Sequence, residues 1–455
     1  MNATARRPKV HVAADDPSLT PHAGLLHVGE LVSRIGLIGR IDGRLSHLKQ
    51  RARGLSPGEF LVSAAESLLC GGDCLSDLDA LRRDEAGSPL RAVAEAPAPT
   101  TAGQYFRRFR LPDLWKMEAA AAEAGAELDR MLGLHPGVVT LDADSTHTEV
   151  FGPGKEGASW NYEGKRTYQP LVVFWAERGR PLAAELLPGG AQPKARAPRL
   201  LARAIRLLPE GATEVRLRAD SGFYSAEVIK ACRRRGVRFS ISAVRSTGVW
   251  RTLEGLSEQD FRPARDMEGA EVASTTYEME GVGAVRLIVR RVEVDASTLP
   301  SARGRRRRTI PRDQLRLALE GELATVHAYS FIVTDLEGDA VEIEWWHRQR
   351  AAAEELFKDA KLGVGMRRMP MGEARANAAW MQTCLLALSL SSMLHLVAGL
   401  PERAQGKRLR RELIRVPGRL VRTGRRLVLR LPKPLAPAAL FVGLYATLRA
   451  LGPPG

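Results

Sequence analysis

Cysteine is scarce in this sequence. Cys70, Cys74, Cys232 and Cys384 are too few and too scattered for a disulfide framework, and no second Cys or His pair completes a zinc site with Cys70 and Cys74. They read as reduced side chains of a cytosolic protein. The opening segment, MNATARRPKVHVAADDPSLT, has no apolar signal core, so residues 1–24 are expected to be a disordered lead-in. Long apolar runs are missing too: the best candidate, Ala378 to Leu400, is interrupted by Gln382, three serines and His395, which points to a buried helix and not a membrane span. Acidic residues are in deficit, with 52 Asp plus Glu against 68 Lys plus Arg and a formal charge of +16. That surplus creates a field that attracts polyanions, with nucleic acid the first candidate.

What is present fits a globular chain of more than one core: 455 residues, 44% hydrophobic and 26% charged. From about Leu25 to Ala94, apolar residues recur at three- and four-residue steps, predicting helices; a proline-rich break, EAPAPTT, leads into a further helix rich in aromatics and Arg. Residues 25–134 are thus expected to form an all-α, DNA-binding domain. The texture changes at His135. HPGVVTLDADSTHTEVFG and YQPLVVFWAERGRPLAAELLPGG predict three strands, followed by a helix opened by Pro198, a strand (EVRLRAD), a helix (SAEVIKACRRRG) and a strand (VRFSISAV). The order βββαβαβ is that of a ribonuclease H-like core over 135–244, lacking its last helix.

Residues 245–340 show strand-like runs and a basic loop, read as an inserted β domain. The missing helix, IEWWHRQRAAAEELFKDAKLG, follows within 341–402, and the basic segment 403–455 holds a hairpin across a Thr-Gly-Arg turn and a terminal helix. No internal repeat or low-complexity tract is evident.

Three carboxylates stand where such a core places metal ligands. Hard divalent ions prefer carboxylate oxygens, and a pair of them assists phosphodiester cleavage. Asp144 lies late on the first strand; Asp142 shares its face two residues earlier, so either fits. Asp220 ends the fourth strand, where it can also cap a helix. On the late helix His347, Arg350, Glu354 and Lys361 are spaced by three, four and seven residues, which predicts a single face carrying one carboxylate among cations.

These residues resemble the bacterial insertion-sequence DDE transposases of cut-and-paste type, whose third catalytic helix carries Tyr-x2-Arg-x3-Glu-x6-Lys. His347, Arg350, Glu354 and Lys361 match it, with His in the Tyr position, and the blocks LDADST, EGASWNYEGKRTYQPL, RADSGFYS and ANAAWMQTCLLAL look like the same subgroup. The likeness extends from about residue 25 to the end. It implies catalysis by Asp144, Asp220 and Glu354 holding two Mg²⁺ or Mn²⁺ ions. It also implies DNA contacts by His347, Arg350 and Lys361, double-stranded DNA partners (transposon ends and target), a homodimer in the synaptic complex, and a cytoplasmic, nucleoid-associated location. Lys155, Lys165 and Arg166, with Arg305 to Arg308 and Arg422, Arg425 and Arg426, are assigned to the DNA backbone, with solvated loop charge the other reading; Trp250 is the candidate wedge for a flipped base, with a core tryptophan the favoured alternative. A ribonuclease H-like nuclease or resolvase and an inactive DNA-binding relative are the alternatives.

Overall fold

The computed structural model describes residues 9–302, 304–400, 406–433 and 438–452, with the side chains of Arg305 and Arg306 outside it. The main helices are α1 (Leu25–Arg34), α2 (Leu37–Leu45), α3 (Pro57–Leu69), α4 (Leu111–Met131), α5 (Pro193–Arg206), α6 (Ala226–Arg233), α7 (Ala340–Arg348), α8 (Ala351–Lys358), α9 (Ala374–Val397) and α10 (Ala438–Ala450). The main strands are β1 (Gly137–Ser145), β2 (Arg166–Trp175), β3 (Arg180–Pro188), β4 (Ala212–Ala219), β5 (Val237–Ser242), β6 (Ala270–Met279), β7 (Gly283–Asp295) and β8 (Thr325–Thr334), with the hairpin β9 (Gly418–Thr423) and β10 (Arg426–Arg430).

One mixed sheet of 11 strands organises the molecule, its main strands running β3-β2-β1-β4-β5-β8-β7-β6. Neighbours β1, β4 and β5 are parallel and the other pairs antiparallel. Alternation decides what each face buries. Val139, Leu141 and Ala143 of β1 join Leu217 and Ala219 of β4 in a core closed by α5 and α6. The opposite face of the same strands carries Asp142, Asp144, Arg218 and Asp220, the side on which α7 and α8 pack.

The helical residues 25–134 share a single core with α8, α9 and the C-terminal segment. α3 starts with a capping box: the Ser56 hydroxyl accepts from the Glu59 N–H, the Glu59 carboxylate accepts from the Ser56 N–H, and Pro57 occupies the first turn. α9 is long and apolar enough to cross a membrane, yet 78% of its most apolar window is buried within the molecule. It packs on α3, α4 and β3.

Several boundaries differ from the sequence reading. The lead-in 1–24 lies partly outside the described residues, but its Leu19 and Thr20 pair with Arg419 and Gly418 of the hairpin. The stretch 245–340 extends the central sheet and has no separate sheet of its own, because β8 pairs with β5 through Ile332, Val333 and Thr334. It also holds a helix, Arg312–Leu319. Pro198 sits inside α5, which begins with Pro193. The single late helix is two: α7 ends at Arg348, a turn intervenes, and α8 runs into a π turn over Asp359–Gly363.

Candidate active site

The parallel register of β1 and β4 sets the site. Ala143 is level with Ala219, so the next residues, Asp144 and Asp220, leave adjacent strands side by side at their C-terminal ends. In open sheets of this kind ligands bind in the crevice at those ends. Asp220 also shapes the backbone, its Oδ1 accepting from the Gly222 N–H at 2.9 Å as the chain turns towards α6.

Asp142 and Asp144 share a face but not a chemistry. Asp142 is fully buried and sits level with Arg218, whose Nε and Nη2 donate to Oδ1 and Oδ2 at 2.7 and 2.8 Å. Arg218 also donates to the Trp346 carbonyl at 2.8 Å and lies over the Trp346 ring, which fixes the end of α7 on the sheet. Burial pushes the Asp142 carboxyl up and the bidentate guanidinium opposes it. Both its oxygens are engaged by one cation.

Asp144 has a poorer balance. Its Oδ1 accepts from the Ser145 N–H at 2.7 Å, and its Oδ2 has Arg350 Nη1 at 3.3 Å. Burial pushes its carboxyl up to about 6; Arg350 works against this, while the charges of Asp220 and Glu354 both push it further. Carboxylates at positions 144, 220 and 354 are therefore electrostatic neighbours. Glu354 projects to solvent from α8, whose buried side seats Ala353 and Phe357, the latter edge-on to Phe174 of β2 at 5.2 Å.

These donors are of the kind a hard divalent cation takes: all oxygen, carried on two strand ends and a helix. A tighter acidic group among the described residues, Asp73, Cys74 and Asp77, has other work. Asp77 accepts from the N–H groups of Asp73 and Cys74, and Asp73 pairs with Arg367 and Arg368, so the group is a satisfied loop turn.

The sequence matches the family described as transposase DDE domain group 1 over residues 2–453. The chain belongs to this DDE transposase family. Membership implies a polynucleotidyl transferase, and DDE transposases generally use divalent metal ions. No curated protein matches the sequence. Among solved structures, a piggyBac transposase synaptic complex with hairpin DNA is similar at 10% identity, with a TM-score of 0.43, over 86% of this chain and 79% of that one. That likeness is too distant to assign any residue.

The remaining sequence candidates of the transposase separate into two kinds. Several that were read as DNA contacts are occupied within the fold. His347 is buried, its Nδ1 2.8 Å from Ser240 Oγ and its Nε2 3.0 Å from Ser242 Oγ, and burial pushes its pKa down to about 3. A ring locked between two serines of β5 docks α7 and has no face for a phosphate. Lys361 donates to Thr146 Oγ1 at 2.5 Å and to the His147 carbonyl at 2.8 Å, fastening the end of α8 to the chain leaving Asp144. Lys155 donates to the Met369 and Met371 carbonyls, and Arg166 to those of Gly152, Pro153 and Lys155. Trp250 packs edge-on against Tyr329 and Phe331 of β8 as a half-buried core residue, the favoured of its two readings. The break after Arg348 explains why the four signature residues do not share one face: α7 presents His347 to the sheet, and α8 presents Glu354 to solvent.

Others remain open. Lys165, Arg422, Arg425 and Arg426 are exposed, Lys165 with its Nζ 3.6 Å from the Glu163 carboxylate. Arg307 is half-buried and donates to the Leu299 and Pro300 carbonyls, Arg308 is exposed, and the side chains of Arg305 and Arg306 lie outside the described residues. Sequence reasoning missed Arg218, Ser240 and Ser242. The signal was there: Arg218 precedes Asp220 by two residues as Asp142 precedes Asp144, and in SIS the serines alternate with a core Ile241, so all face the same way.

Proposed function

We propose that this transposase moves a bacterial insertion sequence of the Tyr-Arg-Glu-Lys subgroup, binding its terminal inverted repeats and catalysing strand cleavage and strand transfer. Asp144, Asp220 and Glu354 are the proposed catalytic residues, and Asp142 is set aside because Arg218 engages both its oxygens. The observation that carries the reading is the register that brings Asp144 and Asp220 out of adjacent parallel strand ends, with Arg350, four residues before Glu354, reaching Asp144 at 3.3 Å. Two Mg²⁺ or Mn²⁺ ions held there would supply activation of the attacking oxygen and stabilisation of the leaving oxygen.

The strand order β3-β2-β1-β4-β5, with β1, β4 and β5 parallel and α8 packed on β1, supports a ribonuclease H-like core. Arg350 tempers the charge at Asp144, and Lys361 positions the end of α8 against Thr146 and His147. Exposed cations, Lys165 and the hairpin arginines among them, face the DNA backbone in this reading, and two copies of the chain join the transposon ends. If several act together, affinity falls with salt at a slope of roughly −0.9 per phosphate neutralised.

The test is incubation with Mg²⁺ and DNA bearing the element's terminal repeats, with wild type beside Glu354→Ala. Strand transfer by the wild type alone is expected. Cleavage without joining would replace the reading with a nuclease, and binding without cleavage would replace it with an inactive relative.

A further inference from the structure

The segment joining β1 to β2 leaves three aromatic side chains in water: Phe151 is 78% exposed, Trp160 68% and Tyr162 87%. Their exposure is built into the backbone. Asn161, between the last two, is buried and its Oδ1 accepts from the Glu163 and Lys165 N–H groups at 3.0 and 2.9 Å. The main chain closes the same turn, Asn161 N–H to the Lys165 carbonyl at 2.8 Å, and Gly164 adopts φ +70, where a Cβ would be strained. Trp160 pairs with Arg166 of β2, and Arg166 braces the carbonyls of Gly152, Pro153 and Lys155, next to Phe151. Fixed turns thus hold these rings outward.

The segment is also fastened to the candidate catalytic centre. The Tyr162 ring lies edge-on to His147 at 5.8 Å, and His147 is the third residue after Asp144. Lys361, at the end of α8, donates to the His147 carbonyl. Exposed Lys165 stands on the same turn as Tyr162, in a solvent-exposed pair with Glu163 at 3.6 Å, the kind of weak surface pair that a phosphate can displace. Apolar faces kept in water beside a cation match a nucleobase with its phosphate: the ring stacks and the charge pairs.

We propose that Phe151, Trp160 and Tyr162 form a stacking platform for unpaired nucleobases of the DNA strand handled at Asp144. The inference rests on the transposase reading of the neighbouring carboxylates. A duplex hides its base faces in its own stack, so the platform takes bases only where pairing has been lost. Every base offers a π face, so selection is for unpaired state and not for sequence.

The test uses the full chain and a short oligothymidine carrying 2-aminopurine, whose fluorescence reports stacking, offered as a single strand and as a duplex. Trp160→Ala/Tyr162→Ala is expected to weaken single-strand binding by roughly five- to 150-fold for each base unstacked. Duplex affinity should hold, and Trp160→Phe/Tyr162→Phe should keep most of the single-strand affinity. Equal single-strand binding by wild type and the alanine variant would overturn the platform, as would wild type binding duplex but no single strand; both leave the transposase reading standing. Unchanged DNA affinity with an altered oligomeric state would make the loop a protein contact and overturn it too. Wild type that binds neither form of DNA removes both proposals.

Discussion

Buried carboxylates occur in two settings in this molecule. Glu118 of α4 accepts from the Ala184 N–H of β3, from Arg203 of α5 and from Gln382 of α9, so four elements meet on one anion with every oxygen occupied. Asp144, on the central strand, has one backbone donor, one guanidinium at 3.3 Å, and two other carboxylates raising its pKa. The first arrangement spends burial on holding layers together. The second leaves an electrostatic deficit at strand ends, and the contrast separates a buried acid that the fold satisfies from one that it leaves poorly paired.

The largest effect that sharpens this contrast is on activity. Asp144→Asn, Asp220→Asn and Glu354→Ala should each lower strand transfer by roughly three orders of magnitude or more, the several kcal/mol attributed to metal charge stabilisation. Thermal stability should hold or rise, since repulsion is removed; a parallel collapse in Tm would place these residues with Glu118. Conversely, Glu118→Ala strands the largely buried Arg203 and should destabilise by about 3–5 kcal/mol in urea unfolding. Next in size is the response to divalent ions. At a hundredfold Kd, Mg²⁺ or Mn²⁺ should stabilise the wild type by about 2.7 kcal/mol and leave Asp144→Asn unmoved, read as a Tm shift that a chelator reverses.

A third carboxylate, Glu66 of α3, tests burial without like-charge neighbours. Its Oε1 accepts from the Ala92 N–H at 2.8 Å, and burial pushes its carboxyl from 4.5 up to about 8. Below pH 4.5 the side chain is protonated folded or unfolded, and its full stabilising contribution is present. As pH rises towards 8 the unfolded chain releases this proton and the folded one keeps it, so stability is lost across that window. Glu66→Gln should therefore gain roughly 1–3 kcal/mol at pH 8 and much less at pH 4.5, seen as a flatter Tm profile. The smallest expected effect is Ser242→Ala, which removes one of the two hydroxyl partners of His347 and should cost about 1 kcal/mol. Strand transfer should persist, whereas its loss would restore His347 to a direct part in DNA handling.

Strand alternation and helical period made the succession from β1 to β5 readable from residues 137–242, and placed Asp144 and Asp220 at strand ends and Glu354 on a helix. Those patterns are local. The continuation of the sheet through β8 was not readable, because a hydrogen-bond partner nearly 100 residues away leaves no mark on either strand's own alternation. The break after Arg348 was equally hidden, since the sequence from Ile343 to Gly363 keeps its apolar spacing while the chain turns at Gln349 and Arg350.

The sequence by itself determined the acidic residues available, their seats on strand and helix, and the basic surplus that suits a nucleic-acid partner. Only the tertiary structure gave Asp142 and Asp144 different surroundings, because register placed Arg218 level with the one and Asp220 beside the other. Likewise, only packing showed that His347, Lys155 and Arg166 serve the fold, while Phe151, Trp160 and Tyr162 face water. A side chain's type limits what it can bind, but its neighbours in space decide which of those bonds remain unmade.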